Sequence, residues 1–172
     1  MEDNFRENLK NIKKIVIKVG TKILLDENNK PNKNSIQRIV EGIWKIREDH
    51  KKEVVLVTSG AIGIGMGVLG KKERPRSIPQ KQAAAAVGQN KLMHLYETEF
   101  SKKNLHVGQV LITAEDLNNK MRYLNIKNTL ACLLEMKIIP IINENDSVAV
   151  DEIKVGDNDT LSALVTLLIG AE

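Results

Sequence analysis

The sequence predicts an α/β domain in which helices cover both faces of a mainly parallel sheet. Four apolar runs rich in β-branched residues have the length of strands, and they are continuous rather than alternating, which is typical of strands covered on both faces. They span residues 15–19, 54–57, 107–112 and 138–142. Segments with helical periodicity separate these runs, and strands joined through helices pair in parallel. The two patterns together predict an α/β/α sandwich.

Each segment between the runs contains a predicted helix. Ser35 is the predicted N-cap of the first helix, because apolar residues recur from Ile36 at i, i+3, i+4 and i+7 spacing. A polar, Pro-containing stretch over residues 71–79 is interpreted as a loop. Further helices are predicted over residues 80–102, 123–136 and 160–169.

Composition excludes several classes of protein. The 172 residues are 42% hydrophobic and 28% charged, which is typical of one globular domain rather than a disordered or fibrous chain. The net charge is +4, but Lys and Arg alternate with Asp and Glu, so we expect no nucleic-acid partner. The first seven residues are polar and no run approaches the roughly 18 apolar residues of a membrane span. We therefore expect a cytoplasmic protein with no membrane partner.

The domain boundary and the single cysteine give further expectations. Residues 1–13 are interpreted as a polar N-terminal extension and residues 14–172 as the domain. Cys132 is the only cysteine, so no intrachain disulfide forms, and its apolar neighbours predict a buried core thiol. The three histidines lack the spacing of metal ligands, and no protein metal site is predicted from them.

The first predicted strand ends in a candidate anion site. In sheets of this kind, ligands bind beyond the carboxyl ends of the strands. Lys18 lies near that end, and Gly20 after it lets the backbone approach an anion closely. A lysine inside an apolar strand is costly to bury without a partner. Lys18 therefore either binds an anion or reaches water from an edge strand.

The second predicted strand is followed by small residues. Ser59, Gly60 and Ala61 suit a turn that lets a ligand contact the backbone, and Ser59 adds a hydroxyl group. A literal G-x-G-x-x-G follows over residues 65–70, but it begins too far from the strand for a dinucleotide fingerprint. These later glycines either pack a helix closely or contact a ligand. No P-loop motif occurs in the chain.

The fourth predicted strand is followed by a dense group of carboxylates and amides, over residues 143–147 and 157–159. Like charges at this density repel one another unless a cation, an amine or N–H donors compensate them. Any one of Asp157, Asn158 and Asp159 is also a candidate N-cap for the last helix. As a set, they predict a site that binds an amino group and orients a lysine or a magnesium ion.

These motifs resemble those of the amino acid kinase family. The resemblance covers nearly the whole chain from Lys14 to Glu172. It implies the fold of that family and transfer of the γ-phosphate of ATP, with Mg2+, to a carboxylate. Within the family, the stretch 143–146 followed by 155–159 favours free L-glutamate as the acceptor over N-acetylglutamate or aspartate. Phosphorylation of L-glutamate is the first step of proline biosynthesis. The residues that carry the resemblance lie at 17–21, 57–62, 81–89, 106–109, 142–146 and 153–159.

The resemblance also implies roles for single residues on the phosphate side of the site. Lys18 would contact the transferred phosphoryl group and stabilise its charge in the transition state. Gly20 and Thr21 would line the phosphate path, so that these three residues would bind ATP. Asp159 would orient Lys18, which makes Lys18 and Asp159 the expected catalytic residues.

A second set of residues would hold the acceptor. By the same resemblance, Ser59 and the backbone of Gly60 and Ala61 would contact the glutamate. Asp146 and Asn158 would bind its amino and carboxylate ends.

Two departures from the family pattern qualify what the resemblance implies. Lys120 stands where relatives often have arginine, which leaves feedback binding of proline open. The sequence stops at Glu172, where the family would continue into the nucleotide-binding lobe, so we expect an incomplete kinase domain that is inactive alone and homo-oligomeric when complete. A glutamate-binding module without catalysis is the alternative from another functional class.

Overall fold

Four parallel strands form one sheet in the part of the chain that the structure describes. The structure is a computed structural model and describes residues 11–71, 73, 75–149 and 158–171. The strands are β1 (Lys14–Val19), β2 (Glu53–Thr58), β3 (Val107–Ile112) and β4 (Ile139–Glu144). Their order in the sheet is β1-β2-β4-β3, and each neighbouring pair is parallel. The predicted fold class is confirmed.

Helices lie between successive strands, and the four predicted helices are all present. Among the residues that the structure describes, three further helices of eight residues or fewer were not predicted. Among the described residues, no helix combines the length and the apolar character needed to span a membrane. The helices are α1 (Thr21–Leu24), α2 (Lys33–His50), α3 (Ala61–Val68), α4 (Ile78–Ser101), α5 (Ala114–Asn118), α6 (Lys120–Glu135) and α7 (Asn158–Ile169).

The sheet separates two apolar cores. Val54 and Leu56 of β2 face a core formed with α2 and α4, whereas Val55 and Val57 face a core formed with α6 and α7. Each of these four side chains is at most 1% exposed. Because successive side chains of a strand point to opposite faces, β2 can be apolar throughout only if both faces are covered. This is the arrangement that the continuous apolar runs predicted.

Two local predictions were wrong. Asn32, not Ser35, caps α2, and its Oδ1 accepts a hydrogen bond from the Ser35 N–H at 3.1 Å. Cys132 is exposed rather than buried. Helix α6 buries Leu130 and Leu134, and a residue two positions from each is rotated by about 200° around the helix axis, away from the core.

Glycines bring α3 and α4 into backbone contact. A Cβ on Gly65 would lie 1.8 Å from the Ala84 carbonyl oxygen, and a Cβ on Gly88 would lie 1.8 Å from the Ala61 carbonyl oxygen. No side chain fits at either position unless the helices separate. The structure therefore supports helix packing as the reason for Gly65.

We expect Gly88→Ala to destabilise the protein by about 2 kcal/mol or more, because the added methyl group forces the two helices apart. Gly42→Ala is the matched control, since an added Cβ in the middle of α2 meets no atom within 4 Å. It should be neutral or stabilise the helix by up to about 1 kcal/mol. Urea unfolding of the two variants checks this, and equal stability of both would contradict the packing argument.

Candidate functional site

The predicted catalytic pair lies at the carboxyl edge of the sheet. The Lys18 Nζ near the end of β1 forms an ion pair with Oδ1 of Asp159 in the first turn of α7. The Lys18 side chain is 31% exposed and the Asp159 side chain is 66% exposed. Strand β1 is an edge strand of the described sheet. Lys18 thus reaches both a partner and water, and its charge is accessible to a ligand.

The side chain of Asn158 contacts one other predicted acceptor residue, Ser59, and also Asn143. Its Nδ2 donates to Ser59 Oγ at 2.7 Å and to Asn143 Oδ1 at 3.2 Å. These contacts connect the start of α7 to the ends of β2 and β4. The side chains of Asn158 and Asp159 therefore contact other elements at the site, while Asp157 lies outside the described residues.

A tight turn aims the start of α3 at the same edge. Gly60 precedes the helix with φ of +95°, a left-handed conformation that favours glycine. The first N–H groups of a helix have no partner within it and carry partial positive charge. The turn therefore places N–H donors of Ala61 and its successors beside Ser59, as an anionic group of a ligand requires.

Gly20 and Thr21 follow Val19, the last residue of β1, and Gly20 lies beside the Lys18 side chain. A Cβ on Gly20 would lie 3.6 Å from the Lys18 Nζ, and Thr21 begins the short helix α1. The absence of a side chain at Gly20 leaves room next to the lysine ammonium group. These residues are placed where a phosphate bound by Lys18 would contact the backbone.

A cavity of about 260 Å³ lies between α4, the ends of β3 and β4, and the residues after β4. Ala61 and Asp146, both predicted to bind the acceptor, line this cavity together with Gln89 and Glu144. Gln89 is 8% exposed and Glu144 is 9% exposed. Two polar side chains that are almost fully buried thus form part of the wall.

Gln89, Asn143 and Asn158 form a relay of three amides behind the cavity, and the first two were not predicted as single site residues. Asn143 Nδ2 donates to Gln89 Oε1 at 2.9 Å, and Asn143 Oδ1 accepts from Asn158. The sequence contained a signal for Gln89, which shares the buried face of α4 with Ala85 and Leu92. A polar residue on such a face requires partners.

Tyr96 of α4 supports the end of β2 at Thr58, the residue before Ser59. Its hydroxyl group lies 3.0 Å from Oγ1 of the buried Thr58. Burial raises the pKa of Tyr96 to about 12. The hydroxyl group is therefore neutral across the physiological range and acts as a structural hydrogen-bonding group.

The described residues contain no group of three or more His, Cys, Asp or Glu side chains that could hold a metal ion. Asp159 is a single carboxylate beside a lysine. Mg2+ commonly binds one or two protein carboxylates together with the phosphates of a substrate. The described residues suit a metal ion that enters with a phosphate ligand, and not one caged by the protein.

Comparison with known proteins identifies the family. A sequence model of the amino acid kinase family matches residues 13–172. The chain belongs to the amino acid kinase family. Amino acid kinases similar to it include a protein of Moorella thermoacetica, 53% identical over 171 residues, which are 99% of this chain and 45% of that protein.

Two clostridial relatives are similar over the same region. The Clostridium tetani protein is 50% identical over 100% of this chain and 64% of its own length. The Clostridium acetobutylicum protein is 52% identical over 98% of this chain and 63% of its own length. All three relatives are named glutamate 5-kinase. The chain thus spans about half to two thirds of the length of the amino acid kinases that it matches.

The site divides into exposed and buried parts that should respond differently to substitution. We expect Asp159→Asn to change the free energy of unfolding by less than about 1 kcal/mol, because a solvent-exposed ion pair contributes little. Asn143→Ala should cost about 2 kcal/mol or more, since it leaves Gln89 and the Glu144 N–H without buried partners. Denaturant unfolding of both variants checks this, and a larger loss for Asp159→Asn would contradict it.

Proposed function

We propose that the protein takes part in transfer of the γ-phosphate of ATP to the γ-carboxylate of L-glutamate, giving glutamyl 5-phosphate in the first step of proline biosynthesis. The observation that carries this proposal is the junction at the start of α7. There Asp159 contacts Lys18 while the adjacent Asn158 contacts Ser59. The first turn of α7 thus contacts both Lys18, whose charge suits a phosphoryl group, and Ser59, which belongs to the polar residues that suit an amino acid. The names of the relatives support the same activity.

In the proposed reaction, a γ-carboxylate oxygen of glutamate attacks the γ-phosphorus of ATP. An O–P bond forms to the carboxylate as the bond from phosphorus to the bridging oxygen breaks, and ADP leaves with that electron pair. In such transfers the protein acts mainly by positioning the reactants and stabilising charge, and covalent catalysis by its side chains contributes little. Lys18 stabilises the charge on the transferred group, and Asp159 holds the lysine in position.

The acceptor is held on the other side of this junction. Ser59 and Asn158 are hydrogen-bonded to each other, so both polar groups are positioned before a ligand arrives. Gly60 and Ala61 contribute the N–H groups at the start of α3. Asp146 adds a carboxylate in the wall of the cavity, which favours an acceptor that carries an ammonium group.

ATP and Mg2+ complete the proposed site. Lys18, Gly20 and Thr21 contact the phosphates from the β1 side. A magnesium ion held beside Asp159 together with the phosphates would neutralise part of the phosphate charge. We also propose a cytoplasmic location, a homo-oligomer and proline as a feedback ligand, which follow from the family resemblance.

Two other functions are separated from this one by substrate tests. Another amino acid kinase activity, on N-acetylglutamate or aspartate, predicts a different acceptor in a coupled assay for ADP release. A glutamate-binding module without catalysis is the alternative from another functional class. It predicts binding of glutamate with no phosphoryl transfer in any longer form of the protein.

We expect Lys18→Met, in a chain that carries a complete kinase domain, to lower kcat by about a hundredfold or more and to change KM for glutamate by less than about threefold. A group that opposes charge developing in the transition state contributes to kcat and not to ground-state binding. Lys14→Met is the matched control, because Lys14 lies on the same strand and donates to the Ile169 carbonyl group. A rise in KM at constant kcat would make Lys18 a residue for glutamate binding.

We expect the 172-residue chain on its own to bind L-glutamate but not to phosphorylate it. The acceptor residues lie within the chain, whereas in-line transfer also requires contacts that hold the nucleotide on its far side. Separate calorimetric titrations with L-glutamate and ATP, followed by an assay for ADP release, check both parts. Turnover at a rate comparable to that of a full-length relative would show that these residues form the nucleotide site as well.

A further inference from the structure

The amide relay behind the cavity has a fixed direction. A primary amide has one oxygen that accepts and one nitrogen that donates. Gln89 Oε1 accepts from Asn143 Nδ2 at 2.9 Å, so the Asn143 oxygen points the other way. That oxygen accepts from the Glu144 N–H at 2.9 Å and from Asn158 Nδ2 at 3.2 Å. The Glu144 N–H fixes the Asn143 oxygen from one side, and Gln89 Oε1 holds the Asn143 nitrogen on the other, so the two contacts together set the orientation that Asn143 passes to Asn158.

The far end of the relay leaves an oxygen without a donor. Asn158 Nδ2 uses its two hydrogens on Ser59 Oγ and Asn143 Oδ1. Its Oδ1 is buried and accepts no hydrogen bond from the part of the chain that the structure describes. Glu144 Oε1 is buried without a donor in the same way. Each such acceptor costs about 1–3 kcal/mol unless a ligand supplies a donor.

The chemistry of these atoms selects the ligand group that fits. An ammonium group offers three N–H donors and a positive charge, which match an amide oxygen and a carboxylate oxygen. A carboxylate placed against the Asn158 oxygen would meet lone pairs and be repelled.

We propose that Gln89 is a positioning residue of the acceptor site, because through Asn143 it holds the Asn158 oxygen as an acceptor for the α-ammonium group of the substrate. The inference rests on the proposed function. It also changes the role expected of Asn158, whose oxygen takes the amino end of the acceptor, where the resemblance implied the carboxylate end.

The test compares L-glutamate with glutarate, which has both carboxylates but lacks the ammonium group. Chemical-shift titration reaches millimolar Kd and gives both affinities in the 172-residue chain. In Gln89→Met, the Asn143 Nδ2 loses its acceptor, so Asn143 is held by the Glu144 N–H alone and positions the Asn158 amide less firmly. We expect the ratio of the glutarate Kd to the glutamate Kd to fall about tenfold, as for loss of one charge-assisted hydrogen bond. An unchanged ratio would overturn the proposal.

A third ligand tests the opposite orientation, in which Asn158 faces the α-carboxylate of the substrate. The compound 4-aminobutyrate keeps the ammonium group and lacks the α-carboxylate. We expect Gln89→Met to weaken binding of 4-aminobutyrate and of L-glutamate by similar factors. If glutarate lost as much affinity as L-glutamate and 4-aminobutyrate lost none, the relay would orient Asn158 toward the carboxylate, and the proposal would be wrong.

Two variants separate positioning from structural support. Gln89→Glu keeps an acceptor oxygen for Asn143, so the glutarate-to-glutamate ratio should return to within about threefold of the wild-type value. Tyr96→Phe removes another buried hydrogen bond of α4, to Thr58, and should lower stability without changing the ratio. A changed ratio in Tyr96→Phe would show that any loss of stability alters the site, and would overturn the proposal.

The outcomes also distinguish this inference from the proposed function. If the wild-type chain does not bind L-glutamate, both fail together. If it binds L-glutamate and the ratio in Gln89→Met is unchanged, only the role of Gln89 fails. Gln89→Ala, whose side chain is too small to clash, replaces Gln89→Met if that variant does not fold.

Discussion

The close approach of α3 and α4 is the constraint on which the candidate site depends. Gly88 lies against the Ala61 carbonyl group, with no room for a side chain between them. The next residue, Gln89, begins the amide relay, and Ala61 begins the helix whose N–H groups face the site. The two close backbone contacts between α3 and α4, at Gly65 and at Gly88, thus determine the separation of two walls of the cavity. Packing requires glycine at residue 88, and the resulting close approach of the helices also sets the positions of the polar groups at the site.

The sheet and its buried strands were predictable because their signal is local. β2 contains four successive apolar residues, and a strand of this kind is stable only between two covered faces. The helices of α2 and α4 followed from periodicity in the same way. The error at Cys132 has a physical cause, since apolar neighbours along the chain do not show which side of a helix meets the core. The exposure of Cys132 depends on which face of α6 is turned toward the sheet.

The site was predictable in its composition but not in its connections. The density of polar residues after β4 indicated a ligand, and Lys18 and Asp159 were paired by resemblance. The contacts among Ser59, Asn143 and Asn158 join three separate segments, so no local spacing could reveal them. The helix α3 was missed because its glycines lower helix propensity, and only tertiary packing against α4 compensates for that.

The two residues that open α7 serve different neighbours although they are adjacent in the sequence. Asn158 bonds to the ends of β2 and β4, and Asp159 bonds to β1. They are about 100° apart on the same helical turn, so neither can move without displacing the other. A ligand that displaces Asn158 therefore also changes the contact between Asp159 and Lys18. Under the proposed function, binding of the acceptor and binding of the phosphate donor would therefore be thermodynamically linked.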